Sequence, residues 1–313
     1  MAHEPKSLQE AVIYFADLDN CQSYLMERRW PNGVVCPTCG SKDVRYLANQ
    51  RRWECRAKHA KKQFSIKVGT IFEDSPIGLD KWLCAVWMIT ACKNGISSWE
   101  LHRALGVTQK SAWFMLHRVR LGLQSNDGTK LSGEVEVDES FIGGKSRNMH
   151  ASKRAEKMVA GSNKGKTIAF AMVERGGKVK TAVVDRRRKK ELQGKIREHV
   201  QAGSAIFSDE LLSYERLNED YKHAVINHAI EYVNGNVHTN YAENFWSLVK
   251  RQIHGTYVNV EPFHLFRYLD EQSFRYNNRE MTDGERFEVA VRQIVGKRLT
   301  YAELTGKVGE TIN

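Results

Sequence analysis

No run of this chain approaches the roughly 18–20 apolar residues that a membrane-crossing helix needs, so the sequence predicts no membrane partner. The opening Met1-Ala-His-Glu-Pro-Lys-Ser-Leu-Gln-Glu10 lacks the basic and apolar segments of a secretory leader. No internal repeat or low-complexity tract is present, which leaves a solenoid or a biased, unfolded chain without support. Six cysteines in 313 residues do not make a disulfide framework in a chain this large. Three of them cluster with metal-like spacing, whereas Cys21, Cys84 and Cys92 lie in helix-like apolar surroundings and read as core thiols. The expected compartment is a reducing cytoplasm.

Positive charge is present in excess. The 48 Lys and Arg against 37 Asp and Glu give a net charge of +11 and a pI near 9.3, a balance that favours polyanionic partners. A hydrophobic fraction of 41% is enough for a buried core. Residues 1–30 read as a helical segment ending at the breaker Trp30-Pro31-Asn32-Gly33. Residues 31–75 are short strand-like pieces separated by knuckles, and 76–125 turn helical, with Trp82, Leu83, Val86, Trp87 and Ile89 as an apolar stripe. The polar turn Gln124-Ser-Asn-Asp-Gly-Thr-Lys130 marks the main boundary. Beyond it, residues 132–285 alternate: strands at 133–138, 167–174 and 178–185, a helix over 188–201, a strand to Phe207, a short helix near 211–219, a strand over 223–228 and a helix from about 240. Helices over 261–278 and 283–295 follow, with 286–313 set apart as a C-terminal helix and tail. The predicted class is α/β, a mixed-sheet domain preceded by a small ribbon and an all-α module.

Cys36-Pro-Thr-Cys39-Gly-Ser has the spacing of a zinc knuckle, and Trp53-Glu-Cys55-Arg-Ala-Lys-His59 supplies two further ligands. Cys36, Cys39, Cys55 and His59 together suit one closed tetrahedral Zn²⁺, whose binding stabilises a segment with little core of its own. Residues 97–120 read as two helices hinged at Gly106-Val107, with Ser98 capping the first and Thr108 the second. Leu101, Leu105, Val107, Ala112 and Leu116 inside, with Lys110, Arg118 and Arg120 outside, suit a helix-turn-helix against DNA.

Three acids stand in informative places. Asp138 closes the strand-like run Glu134-Val-Glu-Val-Asp138, Asp209 closes Ala205-Ile-Phe-Ser-Asp209, and Glu243 lies on an amphipathic helix through Lys250. Each alone would be an ordinary solvated carboxylate. Three converging carboxylates hold two hard cations about 3.5–4 Å apart, which activate an attacking oxygen and stabilise a leaving one in phosphoryl transfer. Glu134 and Glu136 share the parity of Asp138, so an acidic face continues down the strand, while Glu139 points the other way. Lys250, two turns beyond Glu243 on the same face, is placed to hold a phosphate.

One acid on the first strand, one after the fourth and one on a helix after the fifth resemble the ribonuclease-H-like fold of DDE transposases and retroviral integrases. The separations, 71 residues from Asp138 to Asp209 and 34 from there to Glu243, suit it. From Trp30 to Arg279 the chain is similar to bacterial insertion-sequence DDE transposases that carry an N-terminal zinc ribbon (ISXO-type). The matching stretches are Cys36-Pro-Thr-Cys39-Gly-Ser, Gln63-Phe-Ser-Ile-Lys-Val-Gly-Thr-Ile-Phe72, Val137-Asp-Glu-Ser-Phe-Ile-Gly-Gly-Lys145, the segment His238 to Arg251, and Phe274-Arg-Tyr-Asn-Asn-Arg279.

The resemblance implies that Asp138 and Asp209 ligate Mg²⁺ or Mn²⁺, two ions in all, with the third position in the 238–250 helix. Subgroups carry either Asn or Glu there; Asn240 and Glu243 are both present, and Glu243 is expected because a carboxylate binds Mg²⁺ better than an amide and its spacing to Lys250 is the usual one. The implied partners are double-stranded DNA, as terminal inverted repeats and as target, and further copies of the chain on that DNA. The implied location is the bacterial cytoplasm, at the nucleoid. Lys145 in the basic stretch 143–166, the cluster Arg186-Arg-Arg-Lys-Lys190 and Arg251 are expected against DNA backbone. Glu271, Arg275 and Arg279 recur at four-residue steps, as an ion-pair ladder or as phosphate contacts; the adjoining Tyr276-Asn-Asn favours the latter. Two rival readings are a ribonuclease-H-like nuclease, and a zinc-dependent regulator whose catalytic domain is inactive.

Overall fold

The computed structural model describes residues 4–125, 128–144, 166–209, 217, 220–226 and 238–307, with 209, 225 and 226 by backbone alone. Contacts divide the chain into two units, Met1–Gln124 with Glu280–Asn313, and Ser125–Arg279. The expected helix near 211–219 and the basic stretch with Lys145 fall outside the described residues, apart from its ends.

In the first unit, α1 (Leu8–Phe15) starts at Ser7 and α2 (Leu18–Arg29) at Asp17, each side chain accepting a backbone N–H of the first turn. A three-stranded antiparallel ribbon follows, β1 (Val44–Leu47), β2 (Arg52–Cys55) and β3 (Gln63–Phe64). Its small core is aromatic: Trp53 stacks on Phe64 at 5.9 Å and meets Trp30 edge-on at 5.3 Å. Arg29 ties the ribbon to α2 by donating to the Ile66 and Val68 carbonyls. Helices α3 (Leu79–Ala91), α4 (Ser98–Leu105) and α5 (Gln109–Leu123) come next. Ser97, not Ser98, caps α4, in a reciprocal box with Glu100. Ser98 instead accepts from the Gln109 side chain, locking the turn from α4 to α5. Gly106 ends α4 in the left-handed region at φ +59°, where a Cβ is disfavoured. Thr108 caps α5 as predicted.

The second unit is built on one mixed sheet. β4 (Glu134–Ile142), β5 (Thr167–Glu174) and β6 (Val179–Val184) run antiparallel; β7 (Ala205–Asp209) and β8 (Lys222–Ile226) add in parallel, giving the order β6-β5-β4-β7-β8. Side-chain alternation assigns the faces. Val135, Val137, Ile168, Phe170 and Met172 pack with Leu192 and Ile196 of α6 (Lys189–His199). Ala169, Ala171 and Val173 turn the other way, against Ala242, Phe245 and Val249 of α7 (Asn240–Gln252) and Leu265 and Leu269 of α8 (Leu265–Asn277). The two alanines on β5 leave room for the large rings Phe245 and Trp246 of α7 to pack on the sheet. Each buried Val, Leu, Ile, Phe or Met among them contributes about 1.5–3 kcal/mol.

Two expectations are corrected here. Asp138 does not end its strand: β4 continues to Ile142, because β5 pairs with every residue from Val135 to Ile142. The polar Asp-Glu-Ser interrupts the apolar pattern without interrupting the ladder. The boundary placed at 285–286 falls inside helix α9 (Asp283–Arg292). That helix belongs to the first unit, where Phe287 stacks on Tyr24 at 5.8 Å and packs on Trp87 at 5.0 Å.

Candidate active site

The ribbon brings Cys36, Cys39, Cys55 and His59 together, their ligand atoms all within 4.8 Å of one another. Cys39 Sγ lies 3.6 Å from Cys55 Sγ, and Cys36 Sγ 3.5 Å from His59 Nε2. A tetrahedron with Zn–S near 2.3 Å has edges of about 3.8 Å, so the cage fits zinc. Burial pushes the Cys36 thiol up, but the backbone N–H groups of Cys39 and Thr38 and the adjoining thiols outweigh it, bringing it down to about 7. His59 Nδ1 donates to the Ala60 carbonyl at 2.6 Å, which leaves Nε2 turned to the cage. Of the remaining thiols, Cys21 and Cys84 are buried and pushed up to about 12 and about 11 by that burial, while Cys92 is half-buried.

The three expected acids all belong to the second unit, Asp138 on β4, Asp209 at the end of β7 and Glu243 on α7. Asp138 sits half-buried in the middle of β4, its Oδ1 accepting the Glu139 N–H at 2.8 Å. It shares a face with Glu136 and Ile142, the face that packs α7. In the parallel β4–β7 ladder Glu134 lies opposite Ala205, Val135 opposite Ile206 and Glu136 opposite Phe207. The ladder ends at that pair, and the same register continued for two more residues would set position 209 level with Asp138. The end of β7 is held from the other side, where Ser208 hydrogen-bonds His223 of β8 at 2.8 Å. Asn240 and Glu243 both lie exposed on the first turn of α7, whose buried stripe is Ala242, Phe245, Trp246 and Val249.

Glu136, expected on a continuing acidic face, is instead fully buried at 0% exposure. Its Oε2 accepts the backbone N–H groups of Tyr241 and Ala242 at 2.8 and 3.1 Å. Its Oε1 receives Arg175 Nε at 2.8 Å and lies 3.0 Å from His238 Nδ1. Arg175 also donates to Glu134 at 3.0 Å and to the His238 carbonyl at 2.8 Å, with its guanidinium 3.9 Å from the centre of the Phe207 ring. A carboxylate in this position is stabilised by the positive end of the helix as well as by its cation. Removing one partner of such a buried pair costs about 3–5 kcal/mol. Neither Arg175, read only as a hairpin residue, nor His238, read only as part of a motif, was legible as a member of this network.

Beyond β4 opens a cleft of about 550 Å³, lined by Gly143, Gly144, Lys166, Lys250, His254 and Asn259 with apolar walls at Phe141, Ile253 and Val258. Its rim is built by a π-helical turn, Ile253–Tyr257, and by Val258 at φ +61°, ψ −53°. A β-branched residue there is strained; the Asn259 N–H, bonded to the Tyr257 carbonyl at 2.6 Å, closes a tight turn around it. Lys250 and Arg251 are both exposed.

Several predicted DNA contacts lie elsewhere than expected. Arg118 and Arg120, placed on the outer face of the helix-turn-helix, are 4% and 1% exposed. Arg118 donates to the Leu299 and Glu73 carbonyls and lies over Phe114, and has no surface left for a phosphate. Lys110 is exposed. Arg275 is buried on Glu271 at 2.6 Å, and Tyr257 donates to the same carboxylate at 2.7 Å, so the ion-pair alternative describes this face. Arg279 is exposed but donates to the Gly176 and Gly177 carbonyls, clamping the β5–β6 turn.

A sheet of this order, with α6 on one face and α7 and α8 on the other, is a ribonuclease-H-like domain. Residues 130–277 match the ISXO2-like transposase domain, and residues 17–60 the transposase zinc-ribbon domain. Over 245 residues the chain is 28% identical to an uncharacterized protein in transposable element ISH50 of Halobacterium salinarum, covering 72% of this chain and 80% of that one. An uncharacterized transposase-like protein of Haemophilus influenzae is 31% identical over 105 residues, 33% of this chain and 85% of its own. No solved structure matches the chain. The chain belongs to the ISXO2-like transposases of insertion sequences, with a zinc-ribbon module at its N-terminal side. No described helix is long and apolar enough to cross a membrane.

Proposed function

We propose that this transposase binds the terminal inverted repeats of its own element, cuts the DNA at the element ends and joins the freed ends to target DNA. The observation that supports the reading is the parallel β4–β7 register, which, continued two residues past its last pair, would bring position 209 level with Asp138, on a sheet whose Asp138 face packs the helix bearing Glu243. Asp138, Asp209 and Glu243 offer carboxylate oxygens only, the donor set suited to Mg²⁺ or Mn²⁺. Two such ions, when bound, activate an attacking oxygen and stabilise a leaving one.

The protein's own groups do the positioning. Lys166 and Lys250 flank a cleft whose glycine pair lets a sugar-phosphate strand approach the backbone, and a Cβ on Gly144 would meet nothing within 4 Å. Water first opens a phosphodiester at each element end. The 3′-hydroxyl released then attacks a target phosphodiester, one P–O bond forming as another breaks, so no high-energy cofactor is consumed. Lys110 and Arg251 add backbone contacts, the ribbon holds one structural zinc, and the acting species is an oligomer bridging two ends. The test is cleavage of DNA carrying the repeats that flank the gene, in Mg²⁺. Glu243→Gln is expected to slow cleavage by about 100-fold or more, and Asn240→Ala by far less; full activity in Glu243→Gln overturns the assignment of the third acid.

A further inference from the structure

We propose that Glu136 is a positioning residue for the metal-binding acids: it fixes the helix turn carrying Glu243 to the strand carrying Asp138. The proposal rests on reading Asp138 and Glu243 as metal-site residues. Glu136 stands two residues before Asp138 on the same face of β4. Its Oε2 takes the N–H groups of Tyr241 and Ala242, the two residues immediately before Glu243, at 2.8 and 3.1 Å. One buried carboxylate therefore spans the gap between strand and helix, and the separation of the two acids follows from its length.

The other oxygen explains why the carboxylate stays put. Arg175 Nε at 2.8 Å and His238 Nδ1 at 3.0 Å fix Oε1. Arg175 reaches in addition to Glu134 and to the His238 carbonyl, so it ties β4 to the segment leading into the helix. Tyr241 and Ala242 donate from the backbone, so their side chains do not define the link; the acceptor's position does. Groups that orient metal ligands in this way typically change metal affinity by about 10–100-fold when removed.

Length and charge can be separated by substitution. Glu136→Gln keeps the length and a carbonyl oxygen for the two N–H groups; Glu136→Asp keeps the charge but ends one methylene short. Mn²⁺ binding to the full-length protein, read by electron paramagnetic resonance without DNA, is the direct measurement, with Asp138→Asn as reference. The expected result is Mn²⁺ affinity about 10–100-fold weaker in Glu136→Asp, a smaller loss in Glu136→Gln, and repeat-DNA affinity unchanged in both. Amide exchange should speed up at Tyr241 and Ala242 in Glu136→Asp while β5 stays protected. A purely structural or electrostatic role predicts the reverse ranking, with Asp the better replacement, and that ranking overturns the proposal. Mn²⁺ binding weakened in Asp138→Asn but unchanged in Glu136→Asp overturns it alone, and unchanged binding in Asp138→Asn removes the metal-site reading and the proposal together. If the Glu136 variants do not fold, Arg175→Lys carries the same test: weaker Mn²⁺ binding at an unchanged melting temperature supports the proposal, and unchanged binding refutes it.

Discussion

Burial sorts the basic side chains of this chain into those that hold it together and those free to meet DNA. Arg118 donates to two carbonyls and lies against Phe114, and burial holds its guanidinium below its ordinary range. Lys110 lies exposed, its ammonium 4.8 Å from the Tyr301 ring centre. Arg118→Ala is therefore expected to cost about 3–6 kcal/mol of stability, the sum of two charged hydrogen bonds, seen as a lower melting temperature. Lys110→Ala should leave melting unchanged and reduce the salt dependence of DNA binding by about one counterion. The sequence made both look alike, since charge at a helical position says nothing about what a neighbouring segment places over it; the carbonyls that capture Arg118 come from Glu73 and Leu299. The acids were more legible. Strand pattern and motif pointed to Asp138 and Asp209 as the proposed metal-site acids, whereas the role proposed for Glu136 depends on a contact to residues 241 and 242 that no local pattern encodes.

Among the elements, the ribbon shows most clearly what its ligands do. β1, β2 and β3 comprise ten residues between them and bury chiefly Trp53, Cys55 and Phe64. Such a segment draws folding free energy from its metal. Chelation of zinc, or Cys36→Ala, is expected to unfold residues 31–64 while the sheet of the second unit keeps its amide protection; a ribbon that stays folded without metal would contradict this. The ribbon's spacing was readable because Cys and His ligation fixes short loop lengths. The strands of the second unit were readable within a few residues because alternation distinguishes their two faces, with β4 and β7 misjudged only at their polar ends. Helix α7 was legible as an amphipathic helix, but the π-helical turn and the strained Val258 that follow it were not, because both depend on packing at the end of the helix.

At the level of the whole chain, the two ends meet in one unit. Helix α9 returns to α2 and α3, and Glu288 accepts from Tyr24 at 2.7 Å and pairs with Arg28. The sequence announced a helix here, yet nothing in it named a partner more than 250 residues away in the chain. Burial pushes the Glu288 carboxyl up, but the Tyr24 hydroxyl and the Arg28 guanidinium prevail and hold it below its ordinary 4.5. A depressed carboxylate stabilises the fold above its unfolded pKa, and that contribution is lost as pH falls through the folded value. The melting temperature of Glu288→Gln should thus lie below the wild type at pH 7, and the difference should shrink as pH falls below about 4.5. A difference that persists unchanged into acid would mean that the carboxylate charge is not what joins α9 to α2.

The central claim, that carboxylates on this sheet drive DNA strand transfer, meets its most direct test in the joining reaction itself. A DNA fragment ending in the 3′-hydroxyl of the element's terminal repeat is incubated with a target plasmid, the full-length protein and Mg²⁺, and joined product is quantified. The account predicts joining by the wild-type protein, abolished by withdrawing the divalent cation and reduced by about 100-fold or more in Asp138→Asn. Joining that proceeds equally well in Asp138→Asn, or without any divalent cation, would contradict it.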